Sequence, residues 1–217
     1  MGRILLASSA MPALRSLLST LPPHHVLHSG LRIAYIPTAD KRGISRYARP
    51  LIRHMLRSAG FRVHMLEVAG ASYEEIRYIL STCDIIWVGG GNTFFLLHEL
   101  KRSGAADLIV EQVAAGKTYV GVSAGAVVAG PDIDYIDKMD ERSAAPSLKD
   151  VAGLNLVDFR VVPHLDNPVM GRAARAIAAA EREEGHLIHT LGDAWTLVVK
   201  GKNVRTHFHH SLRRHSL

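Results

Sequence analysis

The sequence has little cysteine, few aromatic residues and no long apolar run. Its single cysteine, Cys83, excludes an internal disulfide bond and a thiolate metal cluster, and this usage is typical of a reducing cytoplasm. Aromatic residues make up 6% of the chain, so few rings are present on which nucleic-acid bases could stack. No run approaches the roughly 18 consecutive apolar residues that a membrane span needs, and the first residues carry no secretory cleavage pattern. We therefore expect a cytoplasmic protein that binds neither membranes nor nucleic acid.

Charge is nearly balanced and spread along the chain. Lys and Arg number 26 against 20 Asp and Glu, which gives a formal net charge of +6 without a basic block. With 47% apolar and 21% charged residues in a chain of 217, the composition is that of one globular domain over residues 1–217. Only residues 207–217, which are rich in His and Arg, are expected to form a loosely ordered and solvated tail.

Short apolar runs alternate with stretches of helical periodicity. The runs predict strands at residues 4–7, 33–36, 63–68, 84–88 and 118–122, and the stretches between them predict helices at residues 44–59, 73–81, 93–102 and 106–115. Further along, the pattern predicts a strand at residues 156–162, a helix at 169–183 and short strands at 187–190, 195–199 and 204–207. This succession predicts an α/β fold with a doubly wound, mostly parallel sheet, whose ligand site lies beyond the carboxyl ends of the strands.

A serine stands between a strand and a helix in the segment Gly-Val-Ser-Ala-Gly at residues 121–125. The segment follows the predicted strand 118–122 and precedes a helical stretch of small residues at 124–129. In this context a serine lies on a tight turn with its hydroxyl exposed, and the N–H of Ala124 and the helix dipole favour developing negative charge. The pattern therefore indicates Ser123 as a nucleophile. The alternative is that Ser123 only caps the helix.

A glycine-rich loop at residues 89–91 ends the preceding strand. In a doubly wound sheet its backbone N–H groups lie beside the Ser123 turn, and two donors from neighbouring turns can form an oxyanion hole. The alternatives are a phosphate-binding loop or a plain turn. The phosphate-binding P-loop is excluded for this loop, because its glycines are followed by Asn92 and Thr93 and not by the Gly-Lys-Ser/Thr sequence of that motif.

A serine nucleophile needs a general base, and His164 stands where a late strand ends. Of the 13 histidines it is the one best placed at the predicted site edge, whereas those of the tail are typical of solvated surface. An acid that orients the imidazole is sought between the serine and the histidine, in the carboxylate-rich residues 132–141. Spacing alone does not choose among these acids. The short interval from Ser123 to His164 makes a standard α/β-hydrolase the weaker fit.

Together, the glycine loop, the Ser123 turn and the Pro-His pair at residues 163–164 resemble the signature of the peptidase E family, the aspartyl dipeptidases grouped with cyanophycinase. The resemblance implies a flavodoxin-like three-layer sandwich, similar to class I glutamine amidotransferases but with serine in place of the cysteine nucleophile. Cys83 does not offer that nucleophile, because it precedes a strand and does not lie at the turn after one.

The resemblance also implies roles for individual residues. Ser123 would be the nucleophile and His164 the general base and then the acid. Asp140 would hold the imidazole, with Glu141 and Asp137 left open because the loop is longer than in the smallest members of the family. Catalysis would proceed without a metal ion or a cofactor.

The implied substrate is a dipeptide with N-terminal aspartate. The oxyanion would rest on the N–H groups of Gly91 and Ala124, and Arg172 would grip the aspartate side chain unless it is only part of the polar face of its helix. Asn92 and Thr93 would hydrogen-bond the substrate backbone or simply cap the helix that begins there. 

Two other functions stay open at this point. One is a cyanophycinase-like hydrolase of β-aspartyl-arginine polymer, which the length of the chain disfavours. The other is a non-catalytic, flavodoxin-like binding protein. A homodimer is compatible with each of these two functions and with the dipeptidase function.

Overall fold

A seven-stranded sheet forms the centre of the protein. The structure is a computed structural model that describes residues 2–21, 30–40 and 48–209. In chain order the strands are β1 (Ile4–Ala7), β2 (Arg32–Ile36), β3 (Arg62–Met65), β4 (Ile85–Val88), β5 (Thr118–Val122), β6 (Arg160–Val162), β7 (Ile188–Thr190), β8 (Trp195–Lys200) and β9 (Asn203–Phe208). The large sheet has the order β3-β2-β4-β5-β1-β8-β9, and β6 and β7 form a separate parallel pair.

The first five strands of the chain are parallel, and β8 and β9 extend the sheet in antiparallel fashion. The apolar runs of β1, β4 and β5 are buried on both faces, because helices cover both sides of the sheet. The chain runs from β2 outward to β3 and then returns past β2 to β4 and β5, so the direction of the crossovers reverses. This reversal is typical of doubly wound sheets. The predicted α/β fold with a mostly parallel, doubly wound sheet is confirmed.

Helices pack on the two faces of this sheet. They are α1 (Ala10–Thr20), α2 (Ala48–Ser58), α3 (Tyr73–Thr82), α4 (Thr93–Arg102), α5 (Ala105–Ala114), α6 (Ala124–Val127) and α7 (Gly171–Glu183), and 3₁₀ turns lie at Asp134–Lys138 and Arg142–Ala144. Side chains of α1 and α2 share one buried cluster with one face of the strands. Those of α3, α4, α5 and α7 share a second cluster with the other face. Successive strand residues enter opposite clusters, which gives the three-layer arrangement.

Helix α1 was not expected, since a proline stands near its start. Pro12 is the third residue of α1, where a missing N–H costs no intrahelical hydrogen bond, so proline is tolerated there. Its residues Leu14 and Leu17 are buried against the sheet. For α2, the part of the predicted helix 44–59 that precedes residue 48 lies outside the described residues.

The C-terminal elements differ from the prediction in two places. Residues 156–159 were expected to be part of a strand, but the N–H groups of Leu156 and Val157 both bond the carbonyl of Ala129, so pairing begins only at β6. The predicted loose tail is wrong for residues 207–209, because β9 continues through Phe208. The N–H of His209 then donates to a loop carbonyl, and its Nε2 lies 2.7 Å from a buried serine hydroxyl of α1. Residues 210–217 lie outside the described part.

Several parallel strands end at one edge of the molecule. Ser8 follows β1, the glycine loop follows β4 and Ser123 follows β5, while His164 comes two residues after β6. The ends of parallel strands share an edge, so these residues approach one another. Within the described ranges, no helix is long and apolar enough to cross a bilayer.

Candidate active site

Ser123 occupies a strained turn between β5 and α6. Its φ of 53° and ψ of −114° are unusual for a residue with a side chain, a strain of about 1–3 kcal/mol that surrounding contacts must hold in place. A Cβ at Gly121 would lie 2.3 Å from the carbonyl oxygen of Gly125, and a Cβ at Gly125 would lie 2.3 Å from the carbonyl oxygen of Val88. The two flanking glycines are therefore needed for the close packing that presents the serine hydroxyl.

Three side chains form a continuous chain of hydrogen bonds. Ser123 Oγ lies 2.9 Å from Nε2 of His164, and Nδ1 of the same imidazole lies 2.7 Å from Oδ1 of Asp193. The imidazole is mostly buried, with a side-chain exposure of 12%, so its orientation is restricted by its surroundings. This is the geometry in which a base accepts a proton from a serine while an acid orients the base.

Asp193 reaches the imidazole because of the small parallel sheet. His164 follows β6 and Asp193 follows β7, and the parallel pairing of β6 with β7 brings both strand ends to the same side. The second carboxylate oxygen of Asp193 accepts a hydrogen bond from Asn167 Nδ2 at 2.7 Å. The N–H of Asp193 donates to Oδ1 of Asp166, also at 2.7 Å. The carboxylate is thus held by the loop that follows β6.

The buried hydroxyl of Ser8 links the histidine to the end of β7. It accepts from the N–H of His164 at 3.0 Å and donates to the carbonyl of Leu191 at 3.0 Å. The neighbouring Ser9 donates to the carbonyl of Asp193 at 2.7 Å. His164 has a φ of 66°, a left-handed backbone that these contacts help to hold. The first strand of the large sheet therefore supports both members of the histidine–aspartate pair.

Asp140 does not occupy the position expected for the acid. Its Oδ2 accepts from the N–H of Thr93 at 2.9 Å and from the hydroxyl of the same residue, while the oxygen that accepts from His164 belongs to Asp193. Burial raises the pKa of Asp140, an effect opposed by the two Thr93 hydrogen bonds and by the charge of His164. The open alternatives Glu141 and Asp137 are exposed, and the carboxylate that meets Nδ1 of the imidazole is that of Asp193.

The glycine loop approaches the serine as the sequence predicts. A Cβ at Gly90 would lie 2.9 Å from Cβ of Ser123. Gly91 has a φ of 141°, and a Cβ there would lie 2.2 Å from the carbonyl oxygen of Ala39, so only glycine fits. Among the described residues, the N–H groups of Gly91 and Ala124 have no hydrogen-bond acceptor. Both donors are thus available to a ligand.

The residues expected to bind the substrate fall into two groups. Asn92 caps α4 by accepting from the N–H of Phe95 at 2.9 Å, and its Nδ2 donates to the carbonyl of Glu141. Thr93 is buried and engaged with Asp140. These contacts match the capping alternative. Arg172 lies in the first turn of α7 with an exposed side chain, and its guanidinium forms no hydrogen bond or ion pair within the described ranges.

One other cluster has the composition of a metal site. Ligand atoms of Glu181, Glu184 and His186 lie within 4.8 Å of one another. Arg160 enters this cluster, however: its Nη1 contacts Glu181 and His186, and its Nε and Nη2 donate to Asp132. A guanidinium already supplies the positive charge there, so the cluster is better described as an ion-pair network.

The sequence did contain a signal for Asp193. Gly192 and Asp193 come two and three residues after the predicted strand 187–190, at the carboxyl end where site residues are expected. Asp193 lies after both Ser123 and His164 in the chain, outside the residues 132–141 in which the sequence predicts the acid. Its approach to the histidine depends on the parallel pairing of β6 with β7, a long-range contact that leaves no local pattern.

Known proteins resemble this chain over most of its length. The sequence profile of peptidase family S51 matches residues 4–207. An uncharacterized peptidase of Pasteurella multocida (strain Pm70) is 44% identical over 145 residues, which are 67% of this chain and 70% of that protein. An uncharacterized peptidase of Listeria monocytogenes serovar 1/2a is 39% identical over 177 residues, or 82% of this chain and 86% of that protein. The peptidase E of Nostoc sp. (strain PCC 7120) is 32% identical over 141 residues, which are 64% of this chain and 54% of that protein.

Solved structures agree with the sequence comparison. A crystal structure from Listeria monocytogenes EGD-e, named as a candidate peptidase E, has a TM-score of 0.85 and 36% identity, covering 96% of this chain and 98% of that chain. A peptidase from an acI-B1 Actinobacterium, with a TM-score of 0.69 and 18% identity, shares the fold over 96% and 88% of the two chains. The resemblance to peptidase E is thereby confirmed. Because the profile spans both the serine turn and the histidine, this chain belongs to peptidase family S51.

Proposed function

We propose that this peptidase is a serine exopeptidase that removes N-terminal aspartate from dipeptides. Ser123 Oγ attacks the carbonyl carbon of the aspartyl residue while His164 takes the hydroxyl proton. The C–N bond then breaks, the imidazolium protonates the leaving amine, and an aspartyl-enzyme ester is left on Ser123. A water molecule repeats the same steps and releases aspartate. No cofactor or metal enters any step.

The observation that supports this proposal most is the hydrogen-bonded series of Ser123, His164 and Asp193. The distances of 2.9 and 2.7 Å are within the range in which a base accepts a proton from a nucleophile and an acid orients the base. The acid of the proposed triad is Asp193 and not Asp140, because only the former accepts from the imidazole.

Two backbone donors suit the charge that develops during attack. The N–H groups of Gly91 and Ala124 have no acceptor among the described residues, and Gly90 packs directly against Ser123. Backbone donors aimed at a developing oxyanion need no reorganisation when the charge appears. We assign the oxyanion to these two groups.

The preference for aspartate is assigned to Arg172. The start of α7 packs against the residues that follow the catalytic histidine, since a Cβ at Gly171 would lie 3.0 Å from the carbonyl oxygen of Leu165 and 3.5 Å from that of His164. The next residue, Arg172, has an exposed guanidinium with no partner in the described ranges. A guanidinium can hold a carboxylate through two parallel hydrogen bonds.

The proposal is tested by hydrolysis of a panel of peptides: Asp-Leu, Glu-Leu, Ala-Leu, β-Asp-Leu and β-Asp-Arg, each with and without a chelator. Wild-type protein is expected to cleave Asp-Leu selectively and to keep its rate in the chelator. Ser123→Ala should lower kcat by at least ~10³-fold, and a burst of the first product should report the acyl-enzyme. Ser81→Ala, which removes an exposed hydroxyl bonded to a helix carbonyl, is the matched control.

The variants and peptides of this panel distinguish the proposed dipeptidase from the alternative functions. Near-wild-type cleavage by Ser123→Ala would refute the role of the serine. Preferential cleavage of β-Asp-Arg would replace the dipeptidase with a cyanophycinase-like hydrolase. If no peptide is cleaved, the proposed peptidase activity on small peptides is wrong.

A further inference from the structure

A carboxylate that is not part of the proposed triad lies on the rim of the same site. The Oδ2 atom of Asp140 accepts from the N–H and the hydroxyl of Thr93, which is the first residue of α4. The other carboxylate oxygen, Oδ1, accepts no hydrogen bond from a described residue. The residue is half-buried and is therefore not closed off from the surface.

Within residues 2–21, 30–40 and 48–209, neither an arginine nor a lysine forms an ion pair with this carboxylate. Among the described residues, no ion pair involves Asp140, although other buried acids of the chain are paired with a guanidinium, as Glu181 is with Arg160. Burial raises the pKa of Asp140, which means that its hydrogen bonds do not fully offset the cost of burying the ionised carboxylate. An ionised group in such surroundings favours a cation that a ligand brings.

The position of Asp140 follows from two contacts with the site. Thr93 comes two residues after Gly91 and three after Gly90, the residue whose Cβ position lies 2.9 Å from Ser123 Cβ. The side chain of Asn92 ties the same loop to residue 141 by donating to its carbonyl at 3.0 Å. Burial raises the pKa of Asp140, and the charge of His164 opposes this shift.

We propose that Asp140 binds the free α-ammonium group of the substrate, and that this contact restricts the enzyme to unblocked N-termini. The inference rests on the proposed peptidase activity. In an N-terminal aspartyl residue the ammonium is attached to the carbon next to the scissile carbonyl, so its binding site has to lie close to Ser123. An ammonium on Oδ1 would give a charge-assisted hydrogen bond and balance the partly buried negative charge. An internal or acylated residue has no ammonium and leaves the carboxylate unpaired.

The first test compares a free and a blocked substrate. Asp-p-nitroanilide and N-acetyl-Asp-p-nitroanilide are assayed with wild type, Asp140→Asn and Asp137→Asn. The asparagine at position 140 keeps an oxygen for the Thr93 donors and removes the charge, whereas Asp137 is an exposed carboxylate of the same loop and serves as the matched control.

Wild type is expected to prefer the free amine strongly. Asp140→Asn should lower kcat/KM for the free amine by ~30-fold or more, mainly through KM, and leave the value for the acetylated substrate within about threefold. Asp137→Asn should change neither. An equal loss of kcat/KM on both substrates would mean that Asp140 only caps α4, and would overturn the inference. A wild-type enzyme without preference for the free amine would overturn it as well.

A second test does not depend on turnover. Calorimetric binding of Asp-Leu and N-acetyl-Asp-Leu is measured on Ser123→Ala and on the double variant Ser123→Ala/Asp140→Asn. Asp-Leu should bind the single variant at least ~10-fold more tightly than its acetylated form, and the double variant should lose this difference. A difference that persists in the double variant, or failure of Asp-Leu to bind the single variant, overturns the inference. Binding with the expected difference but without wild-type hydrolysis would instead refute the proposed activity and leave the role of Asp140 supported.

Discussion

Nδ1 of His164 lies 2.7 Å from Oδ1 of Asp193, although the two residues are on loops that leave different strands. The contact depends on the parallel pairing of β6 with β7, and on Ser8 and Asn167, which hold the two loops. A charged acceptor on Nδ1 leaves Nε2 free to take the proton of Ser123. The pair thus determines which nitrogen faces the nucleophile.

Replacing Asp193 by asparagine is expected to lower kcat by ~10²–10⁴-fold with little change in KM. An amide cannot stabilise the imidazolium, and it permits the wrong tautomer. Steady-state kinetics on Asp-Leu would measure the effect. Asp140→Asn provides the comparison, since its loss is expected mainly in KM. A larger loss of kcat in Asp140→Asn than in Asp193→Asn would return Asp140 to the role of the acid.

Removal of the Ser8 hydroxyl should weaken both stability and catalysis. Ser8 is 2% exposed, and its hydroxyl is bonded to the N–H of His164 and to the carbonyl of Leu191. Ser8→Ala leaves both groups without this partner, at a cost of about 1–3 kcal/mol in the free energy of unfolding. Urea denaturation measures the change, with the exposed Ser19→Ala as control, expected within about 0.5 kcal/mol of wild type. A stability equal to that of wild type would contradict the bridging role.

Thiol reagents are expected to leave the activity intact. Burial raises the pKa of Cys83 to about 11, so at neutral pH the side chain is almost entirely the unreactive thiol. The nucleophile position of the turn is occupied by Ser123. Treatment of the native protein with iodoacetamide, followed by assay and mass analysis, should show neither inhibition nor rapid alkylation. Inactivation that parallels modification of Cys83 would contradict this expectation.

The Asp140 carboxyl should make the stability depend on pH. Its pKa is raised in the folded protein, mainly by burial, so the folded state binds the proton more tightly than the unfolded state. The favourable contribution of this group to the free energy of unfolding is fully present below its pKa in the unfolded state. The contribution is lost as the pH rises through its pKa in the folded state. Asp140→Asn should therefore be at least as stable as wild type at neutral pH, and this advantage should shrink on acidification.

The melting temperature of both proteins across the acidic range would measure this difference. A destabilised asparagine variant at neutral pH would mean that the ionised form of Asp140 stabilises the fold through Thr93. In that case the carboxylate would be a structural cap and not a group held at a cost to stability.

Local patterns in the sequence predicted most of the parallel sheet. Buried strands such as β4 and β5 read as continuous apolar runs because both of their faces are covered, and the turns that follow them are marked by glycines. The same patterns failed at α1, where a proline in the first turn hid the helix, and at residues 156–159, where apolar residues are buried without pairing. Burial alone does not distinguish a strand from a packed loop.

The sequence by itself determined the parallel α/β class, the Ser123 turn, the neighbouring glycine loop and His164, because each depends on local spacing at a strand end. Tertiary structure decided which carboxylate meets the imidazole. Asp140 is closer to the serine in the chain, but its carboxylate is taken by Thr93, whereas the β6–β7 pairing carries Asp193 to the histidine. Strand pairing between distant segments leaves no local pattern, so only the folded chain distinguishes the two acids.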